Sequence, residues 1–313
     1  MRVAVIGPAG FGGSVVCIEL LNRGHEVIGI SRKPETFGSH EHYKPLQLDI
    51  SGATIPQLIE TFKDVDVVVN AFNPPYSPTV YKLFVETTRR LVIAAKAAQL
   101  TYFISIGGTG SLFLGPEYPY QTAADSREFW LAYRQATADS EAATYHMEER
   151  IGFGSPVAKM MREYRDARSA VKAGRASEDQ KRVIKEVEKG VLEGPDPVPD
   201  LPLAARAGFM FLEADTSWRW SFVSPPGKYM PGPRTGKYQV VIDQVPFAPV
   251  EGKAGGEGGN AFEGRLLGIS AADLAVAMVD EIEKPEKVHK HWSAVAELPA
   301  EQERVPSYAR LNK

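Results

Sequence analysis

The sequence predicts an α/β fold: a doubly wound parallel sheet with helices on both faces and an inserted charged helical segment. Two observations lead to this prediction. Up to about residue 110, short apolar runs typical of fully buried strands alternate with stretches of helical period. A highly charged stretch, residues 155–192, then interrupts the alternation. Strands that alternate with helices favour a parallel sheet with right-handed crossovers.

The first third of the chain contains the predicted nucleus of the sheet. Helix 12–23 should turn its apolar side chains toward the sheet, and Gly24 provides its stop signal. The predicted strands are 2–7, 25–31, 45–50, 65–72 and 101–108, and the predicted helices between them are 12–23, 55–62 and 81–98.

The second half of the chain is less regular. We expect helices within 125–150 and 155–192, a stiff proline-rich connection at 194–202, strands at 218–225 and 235–242, a mobile loop at 251–260 and a capped helix at 269–283. Residues 1–313 are predicted to form one domain, within which 140–210 is an insertion. Its charge favours a solvated helix face or a mobile arm, and the alternative is a lid or dimerisation element.

Composition excludes several classes of function. With 36 Lys and Arg against 39 Asp and Glu, the overall field gives no attraction to nucleic acid. The single cysteine, Cys17, excludes an intramolecular disulfide and any cysteine-based metal cluster. No stretch approaches the roughly 18 apolar residues of a membrane helix, and no signal peptide is apparent. We therefore expect a cytoplasmic protein with a small-molecule partner and no membrane partner; a homodimer is possible.

The turn after the first predicted strand has the spacing Gly7-x-x-Gly10-x-x-Gly13. Gly7 suits a tight turn, Gly10 lets the backbone approach a pyrophosphate, and Gly13 lets helix and strand pack closely. The following helix then directs free N–H groups at the phosphates, which includes Phe11 and Gly12 in the predicted site. Glycine turns are common, but this one lies between a strand and a helix and so predicts a Rossmann-type dinucleotide site.

The second predicted strand ends in Ser31-Arg32-Lys33, where a site for NAD usually places a carboxylate. Arg32 could fork onto the 2′-phosphate of NADP, with Lys33 adding a point charge, although both could simply be exposed basic residues. The predicted cofactor is NADP(H). Asp49 could accept from the adenine amino group or cap the next turn. Further residues predicted to line the adenosine side stand at the ends of the third and fourth predicted strands, namely Ile50, Asn70, Ala71 and Phe72.

Six motifs along the chain are characteristic when taken together: GPAGFGGS (7–14), SRKPE (31–35), LQLDI (46–50), VVVNAF (67–72), ISIGGTGSL (104–112) and WSFVSPPGKYMPGPRTGKYQV (220–240). In these motifs the chain resembles the atypical short-chain dehydrogenases/reductases of the NmrA-like and biliverdin-reductase-B-like group. The resemblance covers residues 1–125 and 205–295, while Pro8 and Gly12 depart from the commoner GATGFIG. The resemblance implies bound NADP(H), with Gly107, Ser224 and Pro225 near the nicotinamide. It does not specify a reaction, because the group includes reductases, epimerases and cofactor-sensing regulators.

No tyrosine in the sequence is followed by lysine at the fourth position, so the usual acid couple of carbonyl reduction is absent. Tyr133 is our candidate acid, with a packed helix tyrosine as the alternative. Ser105 and Ser111 could orient a carbonyl or could satisfy backbone groups. The histidines lack ligand spacing, so we expect no metal. Aromatic residues that could line an apolar substrate pocket, or pack in the core, are Phe72, Tyr76, Phe113, Trp130 and Tyr133.

These features favour an NADPH-dependent oxidoreductase that acts on a hydrophobic small molecule, with a polycyclic or conjugated carbonyl compound as the expected substrate class. Two alternatives stand beside it. One is an NADP(H)-sensing regulator without turnover, and the other is a non-redox isomerase or cyclase on the same fold.

Overall fold

The computed structural model describes residues 1–74, 77–195, 200–249, 260–299 and 304–311. It confirms the α/β fold. Its strands are β1 Arg2–Ile6, β2 Glu26–Ser31, β3 Tyr43–Gln47, β4 Val67–Asn70, β5 Tyr102–Ile106, β6 Trp220–Val223, β7 Lys228–Met230, β8 Gln239–Ile242, β9 Gly268–Ser270 and β10 Lys290–Val295. Eight of them form one sheet in the order β3-β2-β1-β4-β5-β6-β10-β8, and β7 pairs with β9 separately. Only β8 runs antiparallel to its neighbour in the large sheet.

The described helices are α1 Phe11–Asn22, α2 Ile55–Phe62, α3 Val80–Ala97, α4 Arg127–Ala138, α5 Glu141–Ile151, α6 Pro156–Lys172, α7 Glu178–Glu193, α8 Asp200–Phe209 and α9 Ala271–Glu283. The sheet has an apolar core on each face, and the helices that cover it divide between these two cores. Val3 and Val5 face the core that contains α1 and α9. Ala4 and Ile6 face the other core, which contains α2, α3 and α8 and which we call the lower core. Successive residues of β1 are thus buried on opposite faces, which explains its uninterrupted apolar run.

The third strand begins two residues earlier than the sequence predicts. Its only buried residue is Tyr43, whose hydroxyl donates to the Pro34 carbonyl over 2.9 Å. The ring lies over Gly29 of β2, where an added Cβ would be 2.1 Å from the tyrosine oxygen. The strand therefore starts at the aromatic residue that packs across to β2, and its exposed remainder forms the sheet edge.

The charged stretch 155–192 forms the antiparallel pair α6 and α7 beside α4 and α5. One face of α6 is buried at intervals of three residues, at Ala158, Met161, Tyr164, Ala167 and Ala170, whereas α7 buries no side chain among the residues described. The arginines of α6 are paired rather than solvated: Arg162 binds Glu141 over 2.8 Å and Arg168 binds Asp139 over 2.9 Å. The predicted solvated helix face therefore fits the charges of α7, whereas α6 has a buried face and paired arginines.

Part of the predicted proline-rich connection is helical, because α8 begins at Asp200 and carries Pro202 in its first turn, where a missing N–H costs little. Residues 196–199 of that connection lie outside the described residues, as does nearly all of the predicted loop 251–260. Phe209 of α8 packs in the core beneath the sheet. In the described ranges no helix is long and apolar enough to cross a membrane.

Candidate functional site

The glycine turn closes between β1 and α1 at the point where strand order reverses, with β2 on one side of β1 and β4 on the other. Gly7 has φ +80°, and a Cβ there would lie 3.0 Å from the Ala71 carbonyl oxygen. A Cβ on Gly13 would lie only 2.1 Å from the Gly7 oxygen. The first and third glycines are therefore required by the close approach of backbone to backbone.

The amino end of α1 presents unused donors. Gly10 N–H donates back to the Gly7 oxygen over 3.0 Å, and Ser14 N–H is the first to make a helical bond, to the Gly10 oxygen. Between them, the N–H groups of Phe11, Gly12 and Gly13 have no protein acceptor among the described residues. Free N–H groups at the positive end of a helix, beside a cradle that a Cβ would fill, fit a dinucleotide pyrophosphate.

Arg32 and Lys33 follow β2 at the same edge of the sheet. Both side chains are exposed, and neither forms an ion pair with any described residue. Asp49 accepts from the N–H and hydroxyl of Ser51, over 3.1 and 2.7 Å, and these bonds, with a smaller contribution from Arg32, lower the pKa of its carboxyl. Asp49 thus organises its own turn, while the cations beside it keep their donors available.

The residues after β4 are held by polar bonds to β5. The Asn70 amide donates to Ser105 Oγ over 3.0 Å, and the Asn70 oxygen accepts from the Phe72 N–H over 3.2 Å. Ala71 N–H donates to the Ile6 carbonyl, which ties this segment to the glycine turn. Ser105 is 1% exposed. Its hydroxyl is therefore engaged in positioning Asn70 at the carboxyl edge of the sheet, and Ile50 is buried nearby in the lower core.

The predicted nicotinamide end contains a buried chain of hydroxyls. Ser224 Oγ lies 2.7 Å from Ser111 Oγ and 2.9 Å from His291 Nε2. All three residues are almost fully buried, and burial, assisted by Arg206, lowers the pKa of His291 to about 3. Asp243 Oδ1 lies 3.7 Å from His291 Nδ1, beyond hydrogen-bond distance, and this nitrogen has no hydrogen-bond partner among the described residues. Because it is buried, this network positions the β6 end rather than presenting a nucleophile.

Gly107 and Pro225 lie beside that network. An added Cβ on Gly107 would be 2.1 Å from the Phe222 ring and 2.8 Å from Ser224 Oγ, so packing alone requires glycine there. The Pro225 carbonyl accepts from the Thr109 hydroxyl over 2.9 Å. Both positions lie at the carboxyl ends of adjacent strands, β5 and β6, as the sequence predicts for the cleft.

The aromatic candidates do not form one wall. Phe72 lies 6.4 Å from Phe84 against the lower core, whereas Trp130 and Tyr133 meet edge to face at 5.3 Å over a third apolar cluster. Tyr133 is half-buried there. Phe113 lies under the Arg206 guanidinium at 5.1 Å, and Tyr76 is outside the described residues.

Sequence reasoning missed the aromatic cluster at the glycine turn. The Phe11 ring lies 4.3 Å from the His146 ring of α5 and 4.7 Å from the Tyr229 ring of β7. The space of a residue-12 side chain is taken by Ile106 Cδ1 and the Tyr229 hydroxyl, which lie 3.0 and 3.2 Å from where a Cβ on Gly12 would stand. Burial lowers the pKa of His146 to about 3, so its ring is neutral. The departure from GATGFIG at position 12 was the available signal.

In the described ranges, no three His, Cys, Asp or Glu residues are grouped so as to hold a metal ion. Comparisons with known proteins agree with a nucleotide site instead. Residues 3–129 match the sequence model of the NAD dependent epimerase/dehydratase family. The chain is 27% identical over 300 residues to the uncharacterized protein YwnB of Bacillus subtilis, covering 95% of this chain and 99% of that one.

Two solved structures share the fold. A candidate epimerase from Bacteroides thetaiotaomicron matches with TM-score 0.59 and 24% identity, over 94% of this chain and 96% of that chain. A candidate NADH-flavin reductase from Streptococcus pneumoniae matches with TM-score 0.57 and 19% identity, over 95% and 100%. The family match contains the glycine turn and β1 to β5, so the first part of the chain is similar to the NAD dependent epimerase/dehydratase family, and the whole chain shares the α/β fold of the two solved structures.

Proposed function

We propose that this protein is an NADPH-dependent reductase of a hydrophobic small molecule, with a conjugated or polycyclic carbonyl compound as the substrate class. The observation that carries the proposal is the combination of the first three N–H groups of α1 with two cations after β2, Arg32 and Lys33, none of which has a partner among the residues that the structure describes. A carboxylate at that position would repel a 2′-phosphate, whereas a guanidinium can bind it through two parallel hydrogen bonds.

Bound NADPH would supply the hydride. The protein would bind and orient the cofactor and the substrate and would exclude water from them. The turn from Gly7 to Gly13 would hold the pyrophosphate, and the Asn70–Ser105 bond would fix the edge of the cleft beside it. For the proton, Tyr133 remains our candidate donor. Tyr229 is a second candidate, because its hydroxyl lies beside Gly12, although burial raises its pKa and so makes proton donation harder. Positioning would then provide much of the rate.

The nucleotide preference is tested by Arg32→Asp, with Arg127→Asp as the matched control. Arg127 is also an arginine close to the surface, but its guanidinium donates to the Leu192 carbonyl, away from the glycine turn. We expect Arg32→Asp to weaken NADPH binding by about 100-fold, since it removes a charge-assisted pair and adds a repulsive charge, while NADH binding changes little. Equal affinity of the unmodified protein for both nucleotides would refute the preference.

A sensor without turnover is the second candidate, favoured by the missing Tyr-x-x-x-Lys couple and by the engaged hydroxyls of Ser105 and Ser111. NADPH oxidation across quinones, enones and aromatic ketones separates the two. Oxidation with any of them supports the reductase, and binding without oxidation supports the sensor. Product formation without net change in NADPH would indicate the third candidate, an isomerase or cyclase.

A further inference from the structure

The last described segment, residues 304–311, crosses the glycine turn, and we call it the C-terminal strap. It begins at α5, where Ser307 N–H donates to Glu149 over 2.8 Å and Ser307 Oγ is bonded to His146 Nδ1 over 2.7 Å. It then reaches α1, where Ala309 N–H donates to Ser14 Oγ over 3.3 Å. These bonds place the strap at the first turn of the helix that carries the predicted phosphate donors.

The strap ends on the segment that follows β2. Leu311 N–H donates to the Phe37 carbonyl over 2.9 Å, and the Leu311 side chain packs against Gly38. That segment is tied back to Lys33, whose carbonyl accepts from both the N–H and the hydroxyl of Thr36. The strap therefore bridges the glycine turn and the segment that contains Arg32 and Lys33.

Arg310 is the residue at the middle of this bridge. Its Nη1 donates to the Ala9 carbonyl of the glycine turn over 3.1 Å and to the Ala309 carbonyl over 2.7 Å. Both acceptors are neutral, and in the described part of the chain no carboxylate lies within ion-pair distance of the guanidinium. An arginine has five N–H donors, so Nη2 and Nε remain available on an exposed side chain.

The strap thus adds a cation, Arg310, between the glycine turn at Ala9 and the segment after β2 that carries Arg32 and Lys33. Two acidic residues belong to this part of the site, Asp49, which is already bonded to Ser51, and the exposed Glu35, which follows Lys33 in the segment after β2. A surplus of positive charge with unused donors fits a phosphate monoester, which carries nearly two negative charges at neutral pH and accepts through three oxygens.

We propose that Arg310 is a third cation of the 2′-phosphate site, so that the carboxyl terminus contributes to nucleotide selectivity. This inference rests on the proposed function. Arg310 would act as a binding residue for the ribose phosphate, and the strap would hold it there through its bonds at Ser307, Ala309 and Leu311.

The test compares Arg310→Ala with Arg304→Ala in the full chain. Arg304 is the matched control because it is in the same strap but pairs with Glu141 on α5. Dissociation constants are measured for NADPH and NADH by nicotinamide fluorescence, and for 2′,5′-ADP and 5′-ADP by competition. We expect Arg310→Ala to weaken NADPH and 2′,5′-ADP by about tenfold, the loss of one charge-assisted hydrogen bond, with NADH and 5′-ADP unchanged. Arg304→Ala should leave all four constants unchanged.

An unchanged NADPH constant in Arg310→Ala would overturn the inference. So would equal weakening of NADPH and NADH, because that would show that the strap only supports the turn. The unmodified protein separates the two proposals: if it does not prefer NADPH over NADH, the proposed nucleotide preference itself fails. If it prefers NADPH and Arg310→Ala keeps that preference in full, only the role of Arg310 is refuted.

Discussion

Replacing Gly13 by alanine tests the tightness of the glycine turn. The new Cβ would stand 2.1 Å from the Gly7 oxygen and 2.9 Å from the Gly7 carbon, and both obstructing atoms are backbone. To restore the 3.0 Å that real Cβ contacts require, the turn and α1 must separate by about 0.9 Å, the difference between 3.0 and 2.1 Å. Overpacking of this kind costs roughly 1–3 kcal/mol. The same movement would displace the donors at Phe11 and Gly12, so NADPH binding should weaken as well.

Two further variants calibrate this result, with urea unfolding and NADPH titration as the measurements. Gly10→Ala should be milder, because its Cβ would lie 3.2 Å from the Gly7 oxygen. Gly190→Ala, in the exposed face of α7 with no atom within 4 Å, should be neutral or stabilise by up to about 1 kcal/mol. If Gly13→Ala unfolds at the same urea concentration as the unmodified protein and binds NADPH equally well, the backbone contact described for this turn is wrong.

Two other predictions concern buried titratable groups. Glu19 is 3% exposed and accepts two hydrogen bonds from Arg234, over 2.7 and 2.8 Å, and these bonds lower the pKa of its carboxyl. The charged carboxylate therefore stabilises the fold at pH values above the unfolded pKa near 4.5. This contribution is lost as the pH falls through the folded pKa. Glu19→Gln should lose about 1–2 kcal/mol at neutral pH, because Arg234 itself is half exposed, and unchanged unfolding would contradict the pairing. His291 is neutral in the folded protein, so unfolding takes up a proton at pH values between its ordinary pKa of 6.5 and its folded pKa of about 3. The free energy of unfolding should therefore decrease as the pH is lowered across that window. In His291→Gln the dependence of the urea midpoint on pH should be shallower there, and an equally steep dependence would refute a buried neutral imidazole.

The parts of the fold that the sequence predicts are those whose signal is local. The signal is local in the run 2–7, in the glycine spacing and in the capped helix after Ser270, because each depends on the backbone of its own segment. The structure forms β1 Arg2–Ile6 and α9 Ala271–Glu283 at the first and last of these. Edge strand β3 begins at another residue than the sequence predicts, because its start depends on the packing of Tyr43 over Gly29, which is a contact between strands. The buried face of α6 was obscured because small residues such as Ala158 and Ala167 occupy it beside many charges.

The site divides in the same way. From sequence alone one can predict the glycine turn and its basic neighbour Arg32, because a turn that needs glycine and a strand end without a carboxylate are both visible in short stretches. Only the tertiary structure showed that Ser111, Ser224 and His291, more than 100 residues apart at the extremes, share one buried network, or that Arg310 returns to Ala9. Such contacts follow from where the folded sheet brings distant segments together, and no local pattern of residues encodes that position.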